Sequence, residues 1–335
     1  MELLTGRRRT VAFGTLAALA AFFLLMTSSG SGAPVLVEIP SGATSPQIAL
    51  ILEENEVVRS ATLFHAYVRL RRADRDLKAG TYMLETGSSM RRALRSLRLG
   101  TVETVAMTIP EGFQIAEMVG RIADITGSTP EEVLDLLRAD DLPERYELPG
   151  PTLEGYLFPD TYRFARGVPL SEVVDAMVER YQEVWSPERR ALLEASDMTE
   201  REVVTLASII QAEARRVSEM ERISGVYHNR LREGWLLQAD PTVIYALGGY
   251  RERLLYAAID SVRDNPYNTY ANPGLPPGPI SSPGVRAIDA ALQPEDHDFM
   301  FFVAWPDGYH IFTETLAEHN AAKEDARQER ASNRP

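Results

Sequence analysis

At 335 residues the chain is long enough for roughly two or three domains, each with its own core. With 44% apolar and 25% charged residues the composition is globular, which excludes wholesale disorder, a collagen-like repeat and a polytopic membrane protein. A net charge of −13 argues against a nucleic-acid partner, and the absence of cysteine removes disulfides, thiolate metal sites and a cysteine nucleophile.

The chain opens on a targeting or spanning element. Arg7, Arg8 and Arg9 precede an uncharged run rich in Ala, Leu and Phe that begins at Thr10, and small polar residues follow over 27–33. A run of ~17 residues is short for a bilayer span and long for a signal-peptide core. Ser31 and Ala33 resemble a cleavage site, but Pro34 would follow the cut and restrict the backbone that a peptidase must grip. An uncleaved transmembrane anchor over 10–27 is therefore preferred to a signal peptide. The arginine cluster then leaves residues 1–9 in the cytoplasm and everything from 34 onward outside it.

Residues 34–145 read as small modules. Residues 35–39 predict a strand that ends in the turn Ile39-Pro40-Ser41-Gly42. Ser45-Pro46 opens a helix carrying Ile48, Leu50, Ile51 and Leu52, residues 61–70 predict a second helix, and 79–84 a turn and a strand. This is a β-α-α-β unit. A helix at 89–99 follows, then an apolar run at 104–109 and Pro110-Glu111-Gly112-Phe113, an echo of the first turn that points to a second, related module. Arginine is frequent from Arg59 to Arg98, as a docking face for anionic surfaces or, more simply, as solvated helix faces. Thr129-Pro130-Glu131-Glu132 is a capping box, with Thr129 as N-cap and Glu132 reaching back, ahead of a helix to about Leu137. The acidic, proline-rich stretch 141–151 is a natural hinge, which sets a domain boundary near 145.

Residues 146–325 predict a larger, mixed α+β domain, and 326–335 a polar tail. Apolar residues recur at helical spacing over 170–190, and Thr199 with Glu202 forms another capping box. On the helix that follows, predicted from Glu200 to about Arg216, Val203, Leu206, Ala207, Ile210, Ala214 and Val217 form a buried stripe. Glu213 lies on that stripe, where desolvation raises a carboxyl pKa and suits it to donate a proton near neutral pH. The alternative is a Glu213 tilted to the rim and paired with Arg215, Arg216 or Arg230.

Downstream, His228-Asn229-Arg230-Leu231 ends another helix. The stretch 237–245, with Gln238, Asp240, Thr242 and Tyr245, gathers hydrogen-bonding side chains, as does Tyr267-Asn268-Thr269-Tyr270. Amides, hydroxyls and tyrosine rings of this kind suit a sugar. Asp240 ahead of Pro241 is equally a good helix entry. Residues 272–284 are too rich in Pro and Gly for a helix or central strand and predict an ordered loop bounding a site. A helix at 285–292 and a hairpin of 299–304 with 309–313, turning at Trp305-Pro306-Asp307-Gly308, close the domain. His65, His228, His297, His310 and His319 lack zinc spacing, and no Gly-x-Ser-x-Gly elbow, P-loop or dinucleotide fingerprint occurs, so neither a metal nor a cofactor is expected.

Taken together, the segments 206–214, Asn229-Arg230-Leu231, 237–245, Tyr267-Asn268-Thr269-Tyr270 and 274–280 resemble the endolytic murein transglycosylases, the MltG or YceG-like family. The upstream block 154–162, the anchor and small LysM-like modules fit the family's layout, so the likeness covers nearly the whole chain. The resemblance implies that Glu213 is the catalytic glutamate and that Gln238, Asp240, Thr242, Tyr245, Asn268, Thr269 and Tyr270 contact substrate. It implies cleavage of the β-1,4 bond between N-acetylmuramic acid and N-acetylglucosamine within a strand, leaving a 1,6-anhydromuramyl end and limiting nascent strand length. It also implies single-pass attachment to the bacterial cytoplasmic membrane with the catalytic domain outside, and a partnership with membrane-bound peptidoglycan synthases. One departure stands out: many relatives carry a second glutamate where this chain has Gln211. Two other outcomes stay open at this point, a catalytically silent peptidoglycan-binding scaffold and a hydrolytic muramidase in which Asp240 is the second acid.

Overall fold

Short polar residues start most helices, as the capping patterns predict. In the computed structural model, which describes residues 34–100, 104–249 and 254–332, the hydroxyls of Ser60, Ser89, Thr129, Ser186 and Thr199 each accept a hydrogen bond from the backbone three residues on. Both predicted capping boxes form: Thr129 with Glu132, and Thr199 with Glu202. The predicted span at 10–27 and the cytoplasmic residues 1–9 lie outside the described residues. Among those described, no helix is long and apolar enough to cross a membrane.

The chain divides into two compact units, one reaching to Ala106 and including Arg163–Val168, the other formed by Met107–Tyr162 and the residues from Pro169 onward. The division falls ahead of the hinge expected near 145. In the first unit β1 (Pro34–Ile39), α1 (Ser45–Glu54), α2 (Ala61–Leu70) and β2 (Gly80–Glu85) follow the β-α-α-β order read from the sequence, and α3 (Met90–Leu99) completes it. β1 and β2 pair antiparallel with Val37 opposite Tyr82 and Ile39 opposite Gly80. Alternation sets this register: Val37, Ile39, Tyr82 and Leu84 face a core with Leu52, Phe64, Val68 and Leu97, while Glu38 faces solvent. Each large aliphatic or aromatic side chain so buried contributes roughly 1.5–3 kcal/mol.

β3 (Thr104–Thr108) pairs with β4 (Thr161–Ala165), and between them lie α4 (Ile115–Thr126), α5 (Pro130–Leu137) and the short α6 (Leu142–Arg145). Two strand pairs thus each bracket a run of helices along the chain.

In the second unit the predicted helical stretch 170–190 is broken at Trp185 and Ser186 into α7 (Leu170–Val184) and α8 (Pro187–Ala195). Next come α9 (Glu200–Glu213), α10 (Met220–Arg232), α11 (Asp240–Ala246), α12 (Tyr256–Ser261) and α13 (Val285–Leu292). The hairpin of β5 (Phe301–Ala304) and β6 (His310–Thr313) follows, and α14 (Leu316–Ser332) takes in residues 326–332 of the polar tail. α9 is the axis of this unit: Val203, Val204, Leu206, Ala207, Ile209 and Ile210 are all fully buried. The Pro- and Gly-rich loop at 272–284 is held by backbone bonds from Ser282 N–H to Phe113 O at 2.9 Å and from Gly112 N–H to Ser282 O at 2.8 Å. The Ile280 N–H also donates to Ser208 Oγ at 3.0 Å. Gly155, at φ +86°, lets this loop close down, since a Cβ there would lie 2.4 Å from Cβ of Pro279. Among the described residues the three sheets are each two-stranded, so the architecture is mixed α+β with helices dominating.

Candidate active site

α9 ends at Glu213 because Ala214 is extended (φ −73°, ψ 114°), and the buried stripe ends with it: Val217, expected to continue it, is 50% exposed. The early stop leaves the Glu213 carboxyl at the C-terminal end of a helix rooted in the core, where the negative end of the helix dipole also disfavours its charge. Oε1 of Glu213 accepts a 3.1 Å hydrogen bond from the Tyr227 hydroxyl on α10. Burial above all, then the charge of Asp240, pushes the Glu213 carboxyl up to about 7, against the opposing pull of the Tyr227 bond and of Arg230.

The rim pairing with arginine does not occur. Glu213 has no ion pair among the described residues. The Arg230 guanidinium is committed to backbone carbonyls, donating from Nε to Met300 O at 2.8 Å and from an Nη to Leu237 O at 2.6 Å. Arg216 donates to Asp307 O at 2.9 Å and lies 4.0 Å over the Tyr309 ring. Asn229 binds the carbonyls of His297 and Phe299, so the Asn229-Arg230 pair ties α10 to the segment leading into β5.

Glu213 opens into a cavity of about 670 Å³ within the second unit. Gln238, Asp240 and Tyr270 share its wall with Tyr227 and Arg230, the β5 residues Phe301 to Ala304 form another side, and Asn320 and Lys323 of α14 stand on the rim. Asp240 does not cap α11: Ala239 occupies the cap position, and the Asp240 carboxylate instead accepts a 2.5 Å hydrogen bond from the Tyr270 hydroxyl. Burial chiefly, and that contact next, raise the Tyr270 phenol. His310, on the same wall, is bound through Nδ1 to Glu219 at 3.0 Å.

The other predicted contacts lie behind this wall. Thr242, Asn268 and Thr269 are buried, and their polar groups are taken up by protein: Thr242 Oγ1 lies 2.9 Å from Thr269 Oγ1, Thr269 accepts from Ala239 N–H at 3.0 Å, and the Asn268 amide donates to Ile259 O at 2.9 Å. They hold Gln238 and Tyr270 in position; Gln238 N–H donates to Thr269 O at 3.1 Å, and Tyr270 N–H donates to the Asn268 side chain at 3.0 Å. Tyr245 lies outside the cavity lining, against Tyr267 and hydrogen-bonded to Glu154.

A model of the YceG-like family matches residues 37–325, nearly the full described chain. The chain belongs to the YceG-like family. It is 34% identical over 309 residues to the endolytic murein transglycosylase of Bacillus subtilis (strain 168), covering 87% of this chain and 84% of that one. It is 30% identical over 315 residues to the endolytic murein transglycosylase of Streptococcus pneumoniae serotype 2, covering 84% of this chain and 56% of the longer relative. A crystal structure of a yceG-like protein from Listeria monocytogenes superposes with a TM-score of 0.61 at 32% identity, covering 86% of this chain and 98% of that one.

Gln211 has a local role. Its side-chain oxygen accepts from the Gly284 N–H at 3.1 Å, a bond for which an amide oxygen serves as well as a carboxylate. Sequence reasoning missed Tyr227, although it lies three residues before Arg230 on the same helix face. It also missed Tyr256, 84% exposed at the cavity rim in a segment with no periodic signal, and the α14 residues that the hairpin brings to the cavity.

Proposed function

We propose that this protein is an endolytic murein transglycosylase in which Glu213 acts first as general acid and then as general base. The observation that carries the reading is the Glu213 carboxyl, raised to about 7 at the wall of a cavity rich in hydroxyls, amides and aromatic rings, in a chain of the YceG-like family. A carboxyl so poised is present in both forms near neutral pH. The name endolytic murein transglycosylase, carried by relatives alike over most of this chain, supports the same reaction.

In the proposed cycle Glu213 gives its proton to the glycosidic oxygen as the bond from C1 of N-acetylmuramic acid to that oxygen breaks. The resulting carboxylate takes the proton of the same sugar's C6 hydroxyl as that oxygen bonds to C1. The acid is restored, no water is consumed, and the product ends in a 1,6-anhydro ring. Intramolecular attack replaces the second carboxylate that a hydrolase needs for water or for the anomeric carbon, with effective molarities on the order of 10⁵–10⁸ M. Asp240, oriented by Tyr270, supplies negative charge toward the oxocarbenium-like sugar, and Gln238 supplies a neutral hydrogen bond. Thr242, Asn268 and Thr269 act by holding those groups.

The reading extends to a single-pass anchor over 10–27, residues 34–335 outside the cytoplasm, LysM-like modules that meet the glycan, and membrane-bound synthases as partners whose nascent strands are trimmed. Cleavage of uncross-linked strands in ¹⁸O-water tests the chemistry. Unlabelled anhydromuramyl ends spread along the strands are expected. Labelled reducing ends would make the protein a hydrolase, and intact strands would make it a scaffold.

A further inference from the structure

The first unit differs in charge from the rest of the chain. Its residues 34–100 hold ten Arg and Lys against seven Asp and Glu, in a protein whose net charge is −13. On α3 the buried side is Met90, Ala93, Leu94 and Leu97, and the spacing of Arg91, Arg95 and Arg98 places them along one exposed stripe. Across from that stripe stand Tyr67 and Arg71, and the two groups line a surface cavity of about 390 Å³.

Four guanidinium groups converge there with little to neutralise them. Arg98 pairs with Asp76 at 2.7 Å, both side chains about half exposed. Arg71 donates to the Tyr67 hydroxyl at 3.3 Å and lies 5.6 Å over its ring, which fixes its direction without cancelling its charge. Arg91 and Arg95 have no carboxylate partner among the described residues. Like charges held together in this way favour an anion, and the planar fork of arginine matches a phosphate in particular. Two leucines accompany them in the open: Leu99, 63% exposed on the same cavity, and Leu70, 73% exposed at the end of α2.

We infer that this arginine cavity docks the anionic phospholipid surface of the membrane in which the chain is anchored. The inference rests on the anchor reading for residues 10–27. Only 28–33 then separate the bilayer from Pro34, a tether of at most ~20 Å at full extension, so the arginines meet headgroup phosphates at high local concentration. Exposed leucines beside a basic cluster suit the boundary between headgroups and acyl chains. Each basic residue near an anionic surface is worth roughly a fivefold factor in partition, and the effect fades beyond a Debye length.

Because the chain has no cysteine, a single Leu99→Cys carries an environment-sensitive fluorophore at the cavity without further changes. The full chain is reconstituted in vesicles of phosphatidylcholine alone or doped with phosphatidylglycerol, and quenching by lipid-borne quenchers is read against a label at Glu194→Cys in the second unit. Docking predicts quenching at Leu99→Cys in the anionic vesicles only, lost in high salt and weakened by more than ~20-fold by Arg91→Glu with Arg95→Glu. That double variant should keep the wild-type melting temperature, which shows that it is folded. Equal quenching in both vesicle types, or quenching indifferent to the charge reversal, overturns the inference. So does an equal response to soluble polyphosphate in neutral vesicles, which would make the partner a phosphate-bearing polymer. Alkaline carbonate extraction reports the anchor separately; a chain that washes off sinks the anchor reading, while quenching measured before the wash still decides the docking surface.

Discussion

The Tyr227 hydroxyl donates a 3.1 Å hydrogen bond to Oε1 of Glu213, and this bond pulls the carboxyl down while burial and the Asp240 charge push it up. A second tyrosine, Tyr270, donates at 2.5 Å to Asp240 itself. Each acid of the cavity therefore has its own phenol, and the acidity of Glu213 is a balance of neighbouring groups that can be removed one at a time.

Removing them shifts the pH profile in opposite directions. The proposed general acid must carry its proton, so kcat/KM falls as pH rises through about 7. Tyr227→Phe deletes a bond to the charged form and moves this alkaline limb upward by roughly one unit. Asp240→Asn deletes a like charge and moves it downward, while also lowering the rate. Turnover of defined glycan strands between pH 5 and 9 reads both shifts; limbs that move together would refute the balance.

The same carboxyl opposes stability at neutral pH. Its folded pKa of about 7 exceeds the ordinary 4.5, so the folded state binds more protons between these values and stability falls as pH rises through that window. The loss reaches roughly 3 kcal/mol at pH 8. Glu213→Gln removes it, so the variant should melt above wild type at pH 8 and lose that advantage near pH 4. Melting temperatures across pH check the crossover.

How much of this was legible in the sequence follows from how local each signal is. Thr129 with Glu132 and Thr199 with Glu202 announced their helices because a cap is made within one turn. Glu213 was legible as a carboxylate on an apolar stripe, but the helix end that exposes it was not, because Ala214 leaves the helix without a Gly or Pro to mark the place. Asp240 looked like a cap in Asp-Pro-Thr, and only the return of the chain at Tyr270 turned its side chain elsewhere. Thr242, Asn268 and Thr269 read in the sequence as substrate contacts. Hydroxyls and amides do not reveal in sequence whether they face a cavity or the protein, and here Thr242 and Thr269 face each other while the Asn268 amide is spent on backbone groups.

Tyr256 is 84% exposed at the cavity rim and makes a flat surface on which a sugar ring can lie. Tyr256→Ala should raise KM several-fold with little change in kcat, since a rim contact serves ground and transition states alike. Tyr256→Phe should behave as wild type. A fall in kcat alone would place the tyrosine in the chemical step instead.

Glu154 is 6% exposed, accepts the Ile115 N–H at the start of α4 at 3.1 Å and, mainly through burial, has its carboxyl raised to about 8. Glu154→Gln keeps an acceptor and removes the ionisable group, so it should be tolerated. Glu154→Ala strands the Ile115 N–H and the Tyr245 hydroxyl and should cost roughly 2–4 kcal/mol in urea unfolding. Equal costs for the two variants would mean that the charge, not the hydrogen bonds, is what the site requires.

The most direct test of the central claim is mass spectrometry of uncross-linked glycan strands digested by wild type and by Glu213→Gln, with folding of both confirmed by thermal melting. Glu213 as sole acid and base predicts 1,6-anhydromuramyl products from wild type and a loss of at least ~10²-fold in the variant. Anhydromuramyl products formed by Glu213→Gln at the wild-type rate would contradict it.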